Sequence, residues 1–255
     1  MSFNQRTPGV SFGPGGTVPW GVKWLLISNT ALFVVYFLSV QLQIGPLVGL
    51  FHALSLIPDW VLKGAILWQP ITYLFLHSPY GFGHLIFNML TLWMFGADLE
   101  RDWGTRRFLN FYFFCGIGAG LCDVAARYIL GTTRDLLIPT IGASGAVYGL
   151  LMAFGMIYPN RIIYFGLLFP IPARIFVAIL GGISFLSTFG ASGSGISHMA
   201  HLGGMAFGFF YLRFRPDVLD TDWLGSFKGW QRRRAKGKFE VYMRKHKPRD
   251  GDWVN

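Results

Sequence analysis

The feature that most limits what this chain can become is a succession of six apolar segments, at approximately 23–42, 82–98, 107–129, 143–158, 173–190 and 197–214. A helix needs about 20 apolar residues to cross the roughly 30 Å hydrocarbon core of a bilayer, and several of these segments are shorter. Composition supports the membrane reading all the same. Of the 255 residues 53% are hydrophobic and 13% charged, the latter about half the roughly 25% of a soluble domain. The expected fold is an all-α membrane protein with a six-transmembrane-helix bundle over residues 22–214. A flexible cytoplasmic lead-in, 1–21, precedes it and a basic cytoplasmic tail, 215–255, follows. Nothing near the N-terminus resembles a cleaved signal peptide, so the first apolar run reads as a retained span. Residues 43–81 are apolar but broken by Pro70 and Pro79 and carry Trp60 and Trp68. They read as a partly embedded first loop, which requires protein to cover its backbone polar groups.

Charge gives the orientation. Twelve of the 22 Lys and Arg lie between Arg213 and Arg249, so the net charge of +10 belongs mainly to the tail and does not call for a nucleic-acid partner. Six spans put both termini on one side, with nineteen Lys and Arg against three on the other, or seven against three without the tail. The positive side faces the cytoplasm, and a bacterial cell (inner) membrane is the expected location. The tail, with Arg232, Arg233 and Arg234 among Phe227, Trp230 and Phe239, reads as an interfacial segment attracted to anionic lipid, or as a solvated extension. Cys115 and Cys122 lie about 10 Å apart along one helix, too far for a disulfide within it.

Polar residues inside a membrane demand a reason. Gly142-Ala143-Ser144-Gly145, with Tyr148 one turn on, opens the fourth segment. His198-Met199-Ala200-His201, with Gly204 and Gly208 behind it, opens the sixth. His84 and Asn88, four residues apart and so on one helix face, open the second. Taken singly, each has a bland explanation: a helix cap, a smooth glycine stripe for close packing, a satisfied core histidine. Together they agree in depth. Helices running from Ser144 to Tyr158, from His84 to Asp98 and from His201 to Phe214 each extend about 20 to 22 Å towards the inner face, placing all three polar residues about 8 to 10 Å beneath the outer boundary.

The chemistry that fits is nucleophilic acyl transfer. A serine hydroxyl attacks an amide only when a base takes its proton, and a neutral imidazole can do so and return the proton to the leaving amine. Ser144 is the candidate nucleophile and His201 the candidate base, with His198 the alternative; the glycine spacing at 204 and 208 is keyed to His201. Tyr148 could orient the imidazole where a triad uses an acid. Asp123 is the only acid well inside the outer half of a helix, and Arg127 four residues on makes a structural ion pair the simpler reading. His84, Asn88 and the Ser144 N–H could donate to an oxyanion. His77 lines the cavity or packs beside it, while His52 and His246 carry no functional signal.

These motifs resemble those of the rhomboid intramembrane proteases: Gly-x-Ser-Gly at 142–145 with Tyr148, His-x-x-Gly-x-x-x-Gly at 201, 204 and 208, and His-x-x-x-Asn at 84 and 88. The resemblance runs over roughly residues 22–214. It implies a Ser-His dyad, cleavage of transmembrane protein substrates near their outer membrane boundary, and neither cofactor nor metal. Glu100-Arg101-Asp102-Trp103-Gly104 is similar to the family's Glu-x-x-x-Gly segment, for which a cytoplasmic structural network is expected. One departure is Gln69 after Trp68, where many members carry Arg; it puts a first-loop contact in question. The rival readings are a non-catalytic membrane-helix binding protein of the same fold and, less compatible with the lack of an internal repeat, a transporter.

Overall fold

The computed structural model describes residues 16–64, 66–165, 169–190 and 197–214. The expectations for most of the 1–21 lead-in and for the basic tail fall outside these residues. The first apolar segment forms α1 (Trp20–Gln41). Three short helices follow, α2 (Gly45–Leu54), α3 (Pro58–Leu62) and α4 (Gln69–Thr72), each started by a proline, whose missing N–H costs nothing in a first turn. The second segment is a continuous helical run made of α5 (Gly83–Thr91), a π turn (Leu92–Gly96) and α6 (Ala97–Trp103). Helices α7 (Thr105–Leu130), α8 (Ser144–Ile157), α9 (Ala173–Gly190) and α10 (His198–Phe214) account for the other four segments. Two of the described helices, α1 and α7, are long and apolar enough by themselves to cross a membrane.

The fold is mostly helical but not all-α, which corrects the sequence expectation. Strands β1 (Ile162–Phe165) and β2 (Phe169–Pro172) pair antiparallel between α8 and α9. The run Ile162-Ile163-Tyr164 has the β-branched and aromatic character that suits a strand. Pro170 and Pro172 are tolerated because in a two-stranded ribbon each strand is an edge and can leave N–H positions unpaired.

The first loop meets its burial requirement through side chains. Gln69 is fully buried; its Oε1 accepts the Ile57 N–H at 3.0 Å and its Nε2 donates to the Ala53 carbonyl at 3.1 Å. Thr72 Oγ1 donates to the Leu54 carbonyl at 2.7 Å. The residue that departs from the family pattern therefore bridges the carbonyl end of α2 and the start of α3.

Glu100 does comparable work at the inner end. Its carboxylate accepts the N–H groups of Gly21 and Val22, both at 2.7 Å, and the Thr105 hydroxyl at 2.6 Å. The first N–H groups of a helix have no partner within it, and a carboxylate there also suits the helix dipole. Asp98 pairs with Arg101 at 3.0 Å and Arg161 at 2.7 Å, and the Tyr158 hydroxyl bonds Asp102. The segment from 98 to 104 thus ties α1, α7 and the end of α8 together.

Helices α7, α8 and α10 form the centre of the core. Their approach is set by absent side chains. A Cβ on Gly204 would lie 1.9 Å from the Gly145 carbonyl oxygen, and one on Gly208 would lie 2.9 Å from that of Gly149. On its other face α8 meets α7, where a Cβ on Gly145 would come within 2.5 Å of the Ala119 Cβ.

Candidate active site

Ser144 is the first residue of α8 and His201 the fourth of α10. Because the glycine stripe lets α10 lie directly against α8, the two side chains meet: His201 Nε2 and Ser144 Oγ are 2.9 Å apart. His201 is 8% exposed, whereas Ser144 is half-buried. The hydroxyl therefore sits at the edge of the core while its partner lies within it.

Tyr148, one turn after Ser144, covers the imidazole. The two rings stack with centroids 4.1 Å apart and planes 7° from parallel. Among the described residues no carboxylate bonds the His201 ring, and the Tyr148 ring packs against it instead. His198 meets His201 edge-on at 5.9 Å between centroids, and its buried Nδ1 has no hydrogen-bond partner. Of the two histidines, His201 is the one in contact with Ser144.

Gly142 has two reasons to be glycine. Its φ is +130°, in the region L side chains avoid. A Cβ there would also lie 2.9 Å from both Cε1 and Nε2 of His84. The His84 ring therefore occupies the space beside Gly142, and the same Cβ position is 3.7 Å from Ser144 Oγ. His77, fully buried before α5, approaches His84 with ring centroids 5.1 Å apart. Asn88 is buried; its Nδ2 donates to the His84 carbonyl at 2.8 Å, which leaves its second N–H for another acceptor. The structure thus gathers Ser144, His201, Tyr148, Gly142 and His84. Asn88 contacts its own helix, and Gly204 and Gly208 act one and two turns below as packing positions.

The chain is similar in sequence to known proteins. Residues 65–215 match the sequence model of the Rhomboid domain. This chain belongs to the rhomboid family. It is 34% identical over 132 residues to Rhomboid protein 1, mitochondrial, of Saccharomyces cerevisiae, covering 51% of this chain and 37% of the yeast protein. It is likewise 34% identical over 144 residues to Rhomboid protease GluP of Bacillus subtilis, covering 56% of this chain and 25% of GluP. The Putative rhomboid protease YdcA of the same organism matches at 34% over 144 residues, covering 56% of this chain and 64% of YdcA. In each case the rhomboid chain spans less than two thirds of the relative's length. Membership of an integral membrane family agrees with the apolar composition.

Several residues that shape the site lie outside the motifs. The Tyr73 carbonyl accepts the Gly142 N–H at 3.0 Å, and Leu56 and Thr140 exchange backbone hydrogen bonds at 3.0 and 2.8 Å. Both contacts anchor the segment leading to Ser144 onto the first loop. Nothing in these residue types announces such a role. Ser197 is different: it stands just before α10, and its Oγ accepts the Ala200 N–H at 3.1 Å. A serine three residues ahead of a helical amide is a recognisable helix start.

Proposed function

We propose that this protein is an intramembrane serine endopeptidase that hydrolyses peptide bonds of transmembrane protein substrates near the outer membrane boundary. The observation that carries the reading is the 2.9 Å contact of Ser144 Oγ with an imidazole stacked on Tyr148. The 34% identity to a protein named as a rhomboid protease supports it.

His201 Nε2 takes the Ser144 proton as Oγ attacks the scissile carbonyl carbon. The carbonyl π electrons move to oxygen. That oxyanion accepts hydrogen bonds from the Ser144 N–H, which has no intrahelical acceptor at the start of α8, and from His84 and Asn88. Protonated His201 then donates to the leaving amine nitrogen as the C–N bond breaks, leaving an acyl-Ser144 ester. Water enters, gives a proton to His201, and its hydroxide adds to the ester. Collapse returns the proton to Ser144 Oγ and frees the carboxyl product.

Six membrane crossings complete the reading. The 22 residues of α1 and 26 of α7 suffice for two, and the unbroken helical run from Gly83 to Trp103 adds a third of comparable length. Shorter α8, α9 and α10 cross within that frame, with both termini cytoplasmic by the positive-inside rule and the basic tail resting on anionic lipid. The test is purified full chain in proteoliposomes with a transmembrane reporter. Cleavage is expected from the wild type and is lost in Ser144→Ala and His201→Ala at unchanged helicity and melting temperature. Cleavage that persists in Ser144→Ala would sink the assignment.

A further inference from the structure

We infer that Asp123, on α7, is the positioning residue that sets Ser144 and His201 in register; the inference rests on the dyad reading above. Its carboxylate lies 2% exposed and is shared between the approaches to both residues. Oδ2 accepts the Thr140 hydroxyl at 2.6 Å, and Oδ1 accepts the Ser197 hydroxyl. Thr140 stands four residues before Ser144, and Ser197 four residues before His201. One carboxylate therefore fixes the run into α8 and the first turn of α10 from a third helix that carries neither catalytic residue.

The hydrogen count shows that the arrangement is directional. Ser197 Oγ accepts the Ala200 N–H at 3.1 Å, so its single hydrogen is free to donate to Asp123. Thr140 Oγ1 accepts from Arg127 Nη2 at 2.8 Å and likewise donates to Asp123. Arg127 Nε donates to Oδ1 at 3.1 Å, and its Nη1 reaches the carbonyls of Asp135 and Ile138, both at 3.1 Å. Both hydroxyls therefore turn their single hydrogen to the Asp123 carboxylate. An ion pair on the surface of α7 would need only Arg127. Here Asp123 is buried, Arg127 is only partly so, and the carboxylate also holds the two segments that lead to Ser144 and His201.

The consequence is on geometry rather than on substrate binding. Removing the carboxylate frees the helix start ahead of His201 and the loop ahead of Ser144 to shift independently, and the 2.9 Å contact between Ser144 and His201 is what suffers. The experiment uses purified full chain in proteoliposomes with the transmembrane reporter, a fluorophosphonate probe for the Ser144 labelling rate, and hydrogen exchange at residues 141–145 and 198–202. Asp123→Asn is expected to lower kcat and the labelling rate about 30-fold with KM unchanged, since misplacements of an ångström commonly cost that much or more. Exchange should rise in both segments together. Asp123→Glu, which keeps both acceptor oxygens, recovers part of the loss. Thr140→Val and Ser197→Ala each remove one arm and give smaller losses; they carry the test if Asp123→Asn does not fold. In the double variant the losses combine to no more than that of Asp123→Asn. A folded Asp123→Asn with kcat and labelling within about twofold of wild type overturns the inference, as does a loss that only tracks the unfolded fraction. Failure of the protease reading looks different, because the wild type then neither cleaves nor labels and equals Ser144→Ala. Exchange in that case still decides whether Asp123 holds the two segments.

Discussion

Tyr148 and His201 lie ring on ring, 4.1 Å between centroids, on helices that approach closely enough for a glycine of one to face a carbonyl of the other. The stack holds the imidazole by a surface rather than by a hydrogen bond, so what it needs from Tyr148 is the ring. Aromatic pairs contribute about 0.5–1.5 kcal/mol beyond burial, and about 1.4 kcal/mol is a tenfold change in rate. Tyr148→Phe is therefore expected to keep kcat within about threefold, whereas Tyr148→Ala should lower it about tenfold or more. Steady-state cleavage at a fixed lipid-to-protein ratio separates the two. Equal losses in both variants would mean that the hydroxyl, not the stack, matters.

His84 occupies the space against Gly142, next to Ser144, where an oxyanion would form. Loss of one oxyanion donor commonly costs about 10² to 10³ in kcat, and His84→Ala is expected to fall in that range with little change in KM. Ser144 would still be activated by His201, so fluorophosphonate labelling should fall far less than cleavage of an amide. A His84→Ala variant whose two rates drop in parallel would instead point to damage of the dyad.

Gly204 permits the close approach of α10 to α8 that brings His201 to Ser144. A methyl group there would lie 1.9 Å from the Gly145 carbonyl oxygen, and backbone rather than a flexible side chain must give way. Gly204→Ala is expected to destabilise by about 2–3 kcal/mol or more, at the upper end for overpacking. Activity should be lost even at temperatures where helicity persists. At Gly208 the corresponding distance is 2.9 Å, so Gly208→Ala should be milder on both counts. Thermal unfolding followed by circular dichroism ranks the two.

The parts of this site that were legible from sequence are those whose residue types are costly in a membrane. Ser144, His201 and His84 stood out because polar groups on apolar helices need a reason, and their common depth followed from counting residues to the inner ends. Gly204 and Gly208 were legible because glycine at helical spacing has a packing use. Less visible was the use of Asp123, since an acid with Arg127 four residues on is explained locally, and its bonds to Thr140 and Ser197 join residues 17 and 74 positions away. The strands Ile162–Phe165 and Phe169–Pro172 are no more legible, because each has four residues and they sit in a connection where prolines argue against regular structure. The π turn at Leu92–Gly96 has no sequence periodicity of its own, and it sits where the Phe108 ring packs close on Gly96.

Gln69 gives the most discriminating stability prediction, because it stands where the family pattern often has Arg and yet is fully buried. Its amide uses both kinds of atom, accepting from the Ile57 N–H and donating to the Ala53 carbonyl. Arginine has no acceptor, so Gln69→Arg would leave the Ile57 N–H unpaired and bring a charge into the space of a neutral side chain. Gln69→Ala abandons the Ile57 N–H and leaves the Ala53 carbonyl with the long 3.4 Å bond from the Trp68 indole. Each orphaned buried group costs about 1–3 kcal/mol, so both variants are expected to melt lower than wild type, by several degrees. Gln69→Glu keeps the acceptor and loses the donor, so in its charged form it should repel the Ala53 carbonyl and also lose stability. Two backbone bonds, Leu56–Thr140 and Tyr73–Gly142, tie the first loop to the segment ahead of Ser144, and neither involves Gln69. Below its melting temperature, Gln69→Ala should consequently retain a Ser144 labelling rate within about threefold of wild type, short of the tenfold that 1.4 kcal/mol would produce. Labelling that collapses while the protein remains folded would show that the first loop positions the dyad directly.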